Sequence, residues 1–229
     1  MHLNSIKISK YYMKHTSDYA VFTNKLTSQR LVFYPVAKNA NSSTKLFLLK
    51  HLGLENKFYF LEDDMPRYLI TKEMRNNLNN KNDLIGFLPP FTKFKKMNVD
   101  IKCCIVRDPI KRFISTYKNR ILFHKDKNFF NHSIDLVIEK LENNLIENKH
   151  FLPQTYWLGN DLSYFTFIGK TNDLSDFINN INKFFGQNIR FPWIQTGGKK
   201  INVNLNSDQI NKIKKIYEED YFLLKDVNF

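Results

Sequence analysis

An arginine that follows the apolar run at residues 101–106 is the first candidate for chemistry in this chain. Arg107 precedes Asp108 and Pro109, which are typical of a helix start because an aspartate caps free N–H groups and a proline fits the first helical position. Ser115 comes two turns later. A forked guanidinium and a rotatable hydroxyl can bind one anion together, so this spacing predicts half of a phosphate site. The simpler interpretation pairs Arg107 with Asp108 and leaves Ser115 exposed.

A second polar segment, at residues 37–44, has the composition of an anion-binding loop. It lies between a strand-like run at 30–36 and a helical pattern that begins at Lys45. Free N–H groups at a helix N-terminus attract phosphate or sulfate, and Lys38 adds a mobile positive charge beside three hydroxyl groups. An ordinary helix with an asparagine or serine cap would explain the same residues without a ligand. The three hydroxyl groups belong to Ser42, Ser43 and Thr44.

Together the two segments resemble motifs of the sulfotransferases that use 3′-phosphoadenosine 5′-phosphosulfate (PAPS), specifically the carbohydrate-type branch, sulfotransferase family 2. Residues 38–43, Lys-Asn-Ala-Asn-Ser-Ser, are similar to the 5′-phosphosulfate loop of that family. Residues 107–117 are similar to its 3′-phosphate motif. Weaker similarity extends over about residues 30 to 224. Ala40 stands where the family usually carries glycine, and Thr171-Asn172 stand where an acidic residue often follows the last strand.

The resemblance implies a PAPS donor, the product PAP, and a hydroxyl acceptor on a glycan or glycolipid, with no nucleic acid as partner. It implies a P-loop-NTPase-like parallel sheet flanked by helices, in one domain over residues 1–229. Lys38 would then stabilise the bridging oxygen of the donor, while Arg107 and Ser115 would hold the 3′-phosphate. The expected donor-binding loop comprises Lys38, Asn39, Ala40, Asn41, Ser42 and Ser43, and further candidates are Lys170, Lys199 and Lys200.

A hydroxyl acceptor also benefits from a general base. His150 is the favoured candidate because an imidazole titrates near neutrality. A histidine that contacts carbonyl groups at a helix end fits this position nearly as well. The alternative bases are Glu62, Asp63 and Asp64, which follow a strand-like run.

Strand-like and helical patterns alternate along the chain, which predicts an α/β fold with helices on both faces of a parallel sheet. Ligands bind such sheets beyond the carboxyl ends of the strands, where Lys38 and Arg107 would lie. The adjacent Cys103 and Cys104 would point to opposite faces, so a disulfide between them is not expected. Strands are expected at 19–22, 30–36, 57–61, 101–106 and 162–169, helices at 133–147, 172–185 and 207–222, and an irregular or helical insertion at 63–100.

The composition of the chain narrows the possible classes of function but does not identify one. The 229 residues suit one substantial core, and the formal charge of +13 favours an anionic partner, although lysine is abundant together with asparagine and isoleucine. No apolar stretch is long enough to cross a bilayer, so we expect a cytoplasmic protein, with attachment at a membrane surface as the variant. The six histidines are scattered, so no metal site is expected. The sequence does not indicate an oligomeric state.

Two other classes remain open. A non-catalytic protein that binds nucleic acid or another polyanion would use the same basic residues. A nucleotide or sugar kinase is disfavoured because Gly169-Lys170-Thr171 lacks the earlier glycine of a Walker A motif, Tyr164 standing in its place. Trp157 and Trp193 are candidate contacts to adenine or to a sugar ring.

Overall fold

Helices and strands alternate along the part of the chain that the computed structural model describes, which comprises residues 17–24, 26–53, 55, 59–62, 65–68, 85–88, 99–126, 129, 131–143, 145, 148–194 and 201–229. The strands are β1 (Ser17–Thr23), β2 (Arg30–Tyr34), β3 (Tyr59–Glu62), β4 (Met65–Tyr68), β5 (Ile85–Leu88), β6 (Ile101–Val106) and β7 (Phe167–Lys170). The α-helices are α1 (Asn41–His51), α2 (Pro109–Tyr117), α3 (Ile134–Glu142), α4 (Gln154–Leu158), α5 (Ser175–Phe185), α6 (Ser207–Ile216) and α7 (Glu218–Leu223). A π-helix (Lys118–Phe123) continues α2, and a 3₁₀ turn (Leu162–Tyr164) precedes β7.

The main sheet has the strand order β5-β1-β2-β6-β7. Strands β2, β6 and β7 run parallel to one another, whereas β1 is antiparallel to both β2 and β5. Strands β3 and β4 form a separate antiparallel pair. Because the three parallel strands end at the same edge, the segments that follow β2, β6 and β7 are brought together there.

Helices cover both faces of this sheet, which confirms the α/β prediction. The sheet is mixed and not wholly parallel as expected, because β1 runs antiparallel to both of its neighbours. Alternation along β6 sends Cys103 into one apolar cluster and Cys104 into the other, and both thiols are buried and free. Helices α1 and α5 pack on the face of Cys103, and α4 and α7 pack on the face of Cys104. A third apolar cluster joins α2, α3 and α6 beside the sheet.

Four predicted elements differ clearly in the structure, and the first is the helix expected at 133–147, which ends at Glu142. The strand expected at 162–169 is shorter, because the Asp161 carboxylate accepts hydrogen bonds from the Ser163 N–H and hydroxyl and closes a 3₁₀ turn before β7. The helix expected at 207–222 is divided at Tyr217, whose hydroxyl donates to the Phe151 carbonyl. Within 63–100 the described elements are strands, and β5 extends the main sheet. Among the described residues, no helix is both long and apolar enough to span a membrane.

Candidate functional site

The junction between β2 and α1 leaves helix amides without partners. Lys38 and Ala40 both adopt left-handed backbone conformations, with φ of 69° and 54°. Ala40 occupies the N-cap position and has no polar side chain to cap the helix. The Thr44 N–H donates a hydrogen bond to the Ala40 carbonyl at 2.9 Å. The amides at 41–43 therefore have no hydrogen-bond acceptor among the described residues. Successive free N–H groups after left-handed residues form a concave anion-binding nest at the positive end of a helix.

The junction between β6 and α2 is capped. The Asp108 carboxylate accepts the Lys111 N–H at 2.8 Å, and Pro109 fills the first helical position. Arg107 does not hydrogen-bond Asp108; its Nη1 donates to the Lys38 carbonyl at 2.9 Å, while its Nε is buried with no partner among the described groups. The guanidinium therefore braces the Lys38 loop and retains donors for an anion.

A buried glutamine joins the two junctions. Gln154 is fully buried, and its Oε1 accepts from Asn39 Nδ2 at 2.7 Å and from the Arg107 N–H at 3.0 Å. Its Nε2 donates to the Arg107 carbonyl at 2.8 Å. The buried Asp220 carboxylate in turn accepts the Gln154 N–H at 2.9 Å. The loop after β2 and the end of β6 are thus held in one hydrogen-bonded unit.

The charges of three arginines act on Lys38 at this edge of the sheet, and we call these four residues the cationic cluster: Lys38, Arg107, Arg112 and Arg120. Burial, and then the charges of the three arginines, lower the pKa of Lys38 to about 8. No described carboxylate forms an ion pair with Lys38. Arg120 is paired with Asp126, whereas Lys38 has no such partner among the described residues. A largely buried ammonium among other cations is costly, so this position is suited to bind an anion.

His150 lies beside the cationic cluster. Arg112, itself fully buried, donates through Nη2 to the His150 carbonyl at 3.1 Å, and the Thr116 hydroxyl contacts the same oxygen at 3.2 Å. The ring Nδ1 lies 2.8 Å from Asn148 Oδ1, so the imidazole contacts a side-chain amide. Burial, followed by Arg120 and other nearby cations, lowers the pKa of His150 to about 2. The ring is therefore neutral at physiological pH.

Two of the three loop hydroxyl groups, which were expected to face an anion, make hydrogen bonds within the protein. The Ser43 hydroxyl accepts the Ile194 N–H at 3.1 Å, and Thr44 Oγ1 donates to the Ala40 carbonyl at 3.0 Å. Both side chains are therefore engaged within the protein, and Ser43 offers a ligand its backbone N–H. Ser42 and Ser115 are half-buried, and neither hydroxyl has a hydrogen bond to a described residue.

Of the remaining predicted residues, some lie near the candidate site and others do not. Lys170 ends β7 at the same sheet edge as Arg107. Glu62 ends β3, which pairs with β4 and not with the main sheet. Trp157 is buried in the core against Tyr156, so its expected ligand contact is wrong, whereas Trp193 is 56% exposed. Asp63, Asp64, Lys199 and Lys200 lie outside the described residues.

Several residues of the site were not predicted as such from the sequence. Arg112 and Thr116 are polar positions on an amphipathic helix, where a solvent-exposed interpretation is the default. Gln154 contacts residues that are distant in sequence, and Asn148 joins its near neighbour His150 to Asp126, 22 residues earlier, so spacing alone does not reveal either role. Within the described part of the chain, no group of histidine, cysteine or acidic residues is arranged to hold a metal ion.

Comparison with known proteins agrees with this geometry. The sequence model of the sulfotransferase family matches residues 26–225, which include both junctions, the cationic cluster and His150. Comparison with curated proteins and with solved structures gives no match. The resemblance carried by the two loop motifs is therefore confirmed, and the chain belongs to the sulfotransferase family.

Proposed function

We propose that this sulfotransferase moves a sulfuryl group from PAPS to a hydroxyl on a carbohydrate or glycoconjugate. Family membership supports sulfuryl transfer in general. One observation carries the choice of donor: Lys38 lies among three arginines beside a helix start whose amides are free, and it forms no ion pair with a described carboxylate. Such a site favours a ligand with several negative charges over a neutral one.

The strand, loop and helix at β2–α1 suit the 5′-phosphosulfate, as in a P-loop-like cradle. The amides at 41–43 and the Ser42 hydroxyl would bind the phosphate oxygens. Lys38 would lie at the bridging oxygen, where charge develops as the S–O bond breaks. Arg107 and Ser115 would bind the 3′-phosphate, the group that distinguishes PAPS from ATP. Lys170 is a further candidate at the same edge.

The chemical step is an in-line displacement. The acceptor oxygen forms a bond to sulfur while the bond from sulfur to the bridging oxygen breaks and PAP leaves with the electron pair. The proton of the acceptor hydroxyl passes to His150. The donor supplies several negative charges to the cations that lower the pKa of His150, so donor binding would raise that pKa towards the range of a useful base.

Calorimetry with PAP, ATP and GTP tests the donor assignment. We expect PAP to bind at one site and to raise the melting temperature, with weaker or no binding of ATP and GTP, because those nucleotides lack the 3′-phosphate. Stabilisation by ATP without binding of PAP would overturn the proposal in favour of a kinase. Binding of PAP that is weak, multiple and steeply salt-dependent would instead favour a polyanion-binding protein.

A screen with labelled PAPS tests the acceptor class. The panel should contain neutral and acidic oligosaccharides, a glycolipid, and simple phenols and steroids as non-carbohydrate hydroxyls. We expect transfer of label to a sugar hydroxyl, because the motifs resemble those of the carbohydrate-type branch. Label found on a phenol or steroid alone would reject the carbohydrate part of the proposal and retain PAPS as donor.

A further inference from the structure

A chain of side-chain hydrogen bonds runs from the π-helix to the ring of His150. Arg120 donates from Nε and Nη2 to the two oxygens of Asp126, at 2.7 and 2.6 Å. Asn148 Nδ2 donates to Asp126 Oδ2 at 3.1 Å. Asn148 Oδ1 lies 2.9 Å from the His150 N–H and 2.8 Å from His150 Nδ1. Every link joins two named polar atoms.

The chain fixes the orientation of the Asn148 amide. The His150 backbone N–H can only donate, so it requires the amide oxygen opposite it. The Asp126 carboxylate, paired with Arg120 through both oxygens, can only accept, so it requires the amide NH₂ group. Exchanging the oxygen and nitrogen of the amide would leave both contacts repulsive. One orientation alone satisfies both neighbours.

The amide orientation decides which nitrogen of His150 carries the proton. Oδ1 of Asn148 has no hydrogen to give, so a hydrogen bond at 2.8 Å requires a proton on Nδ1. In a neutral imidazole the other nitrogen, Nε2, then carries the lone pair. No described group hydrogen-bonds Nε2. The charged groups that influence the ring, Arg120, Lys38, Lys149 and Arg112, are all cations and keep it neutral.

We propose that Asn148 is a positioning residue that holds His150 in the Nδ1–H tautomer, so that Nε2 is the atom that receives the acceptor proton. The assignment of a base rests on the proposed function, whereas the tautomer rests on the hydrogen bonds alone. Asp126 and Arg120 orient Asn148 from behind. The arrangement follows the general rule that an acceptor bound to one N–H of a catalytic imidazole leaves the other nitrogen free to act as the base.

Nitrogen NMR of the ligand-free protein, with ¹⁵N-labelled histidine at pH 8, tests the tautomer without any activity. The His150 signals are assigned by their loss in His150→Gln. We expect Nδ1 to show the shift of a protonated nitrogen and Nε2 that of a bare one. A protonated Nε2, or a rapid mixture of tautomers as in free histidine, would overturn the proposal even if the protein transfers sulfuryl groups.

Two variants test the role of Asn148, with Asn143→Ala as a control because the Asn143 amide makes an exposed contact to the last turn of α3. Asn148→Ala removes the acceptor, and we expect the Nδ1–H preference to disappear. Asn148→Asp combined with Asp126→Asn retains an acceptor oxygen for the ring and avoids two facing carboxylates, so we expect the preference to survive. Retention of the Nδ1–H tautomer in Asn148→Ala, or its loss in the double variant, would contradict the assignment.

Kinetics with an acceptor identified in the screen separates this proposal from the proposed function. Asn148→Ala should lower kcat by at least about tenfold, since a general base contributes roughly 10²- to 10⁴-fold, and should leave KM for PAPS and the affinity for PAP unchanged. Loss of the tautomer with unchanged kcat would reject His150 as the base and leave the tautomer assignment intact. A parallel loss of PAP affinity would reject a positioning role in favour of a structural one.

Discussion

The two strand-to-helix junctions of the site share a topology and differ in their caps. Both follow neighbouring parallel strands, β2 and β6, and both lead into a helix that packs on an apolar cluster. At α1 the N-cap is Ala40, which has no polar side chain, and the first amides are free. At α2 the Asp108 carboxylate occupies an amide and Pro109 removes another.

This difference determines how each junction can bind an anion. The start of α1 offers backbone N–H groups, with Lys38 as the adjacent side-chain charge. At the start of α2 the Lys111 amide is capped and Pro109 has no N–H, so we expect its contribution to come from the side chains Arg107 and Ser115. A junction therefore becomes a backbone cradle through the absence of a cap, in line with our proposal that the phosphosulfate binds at α1 and the 3′-phosphate at α2.

The largest effect should come from Lys38→Ala at the backbone cradle. The variant loses the charge at the bridging oxygen, and we expect kcat for sulfuryl transfer to fall by about 10²- to 10³-fold. The affinity for PAP should fall much less, because the amides at 41–43 remain. Steady-state rates with labelled PAPS and calorimetry with PAP measure the two effects, and Lys183→Ala, at an exposed position of α5, serves as a control. Equal losses in kcat and affinity would assign Lys38 to binding alone.

The next effect concerns the link between the junctions. Gln154→Leu leaves the Asn39 amide and the Arg107 N–H and carbonyl without their buried partner, which should lower the free energy of unfolding by about 3 kcal/mol. Chemical denaturation measures this loss. Gln29→Leu, at an exposed glutamine whose side chain accepts an exposed hydrogen bond from the Thr27 hydroxyl, is the matched control. If Gln154→Leu has the same free energy of unfolding as the parent protein and binds PAP equally well, the two junctions are independent and not one unit.

Arg107→Ala separates the side-chain site from the backbone cradle. Loss of charge-assisted hydrogen bonds should weaken PAP binding by about 10- to 100-fold. Binding of adenosine 5′-phosphosulfate, which lacks the 3′-phosphate, should change little. Arg190→Ala, at an exposed arginine, controls for net charge. Equal weakening of both ligands would show that Arg107 acts by bracing the Lys38 carbonyl and not by binding the 3′-phosphate.

Local sequence patterns predicted the junction between β6 and α2 better than the junction between β2 and α1. Asp108-Pro109 is a start signal that depends on neighbouring residues alone, and the structure has the helix there, beginning at Pro109. At the other junction, the hydroxyl groups indicated an anion loop. In the structure the Ser43 hydroxyl instead contacts Ile194, 151 residues away in sequence. The same limit applies to Gln154 and Arg112, because buried polar contacts are set by tertiary packing and leave no periodic pattern.

The cradle should also make PAP binding pH-dependent. The pKa of Lys38 is about 8 in the free protein, and a bound polyanion would raise it. Below pH 8 the ammonium is charged in both states and affinity is constant. Above pH 8 the free protein must take up a proton to bind, so affinity should fall by up to about tenfold per pH unit. Calorimetry between pH 7 and 9 in two buffers measures this uptake, and Lys38→Ala should abolish it. A slope that persists in Lys38→Ala would assign the titration to another group.

The smallest effect should come from Ala40→Gly at the same cradle. Ala40 has a φ of 54°, where a side chain is strained and glycine is not, so the substitution should raise the free energy of unfolding by up to about 1 kcal/mol. Neither residue supplies a cap, so the amides stay free and PAP affinity should change by less than about threefold, within the usual tolerance of a backbone-built site. Denaturation and calorimetry measure the two quantities. A large gain in affinity would mean that the strained alanine holds the amides away from their binding geometry, and that the cradle is less preorganised than its free N–H groups indicate.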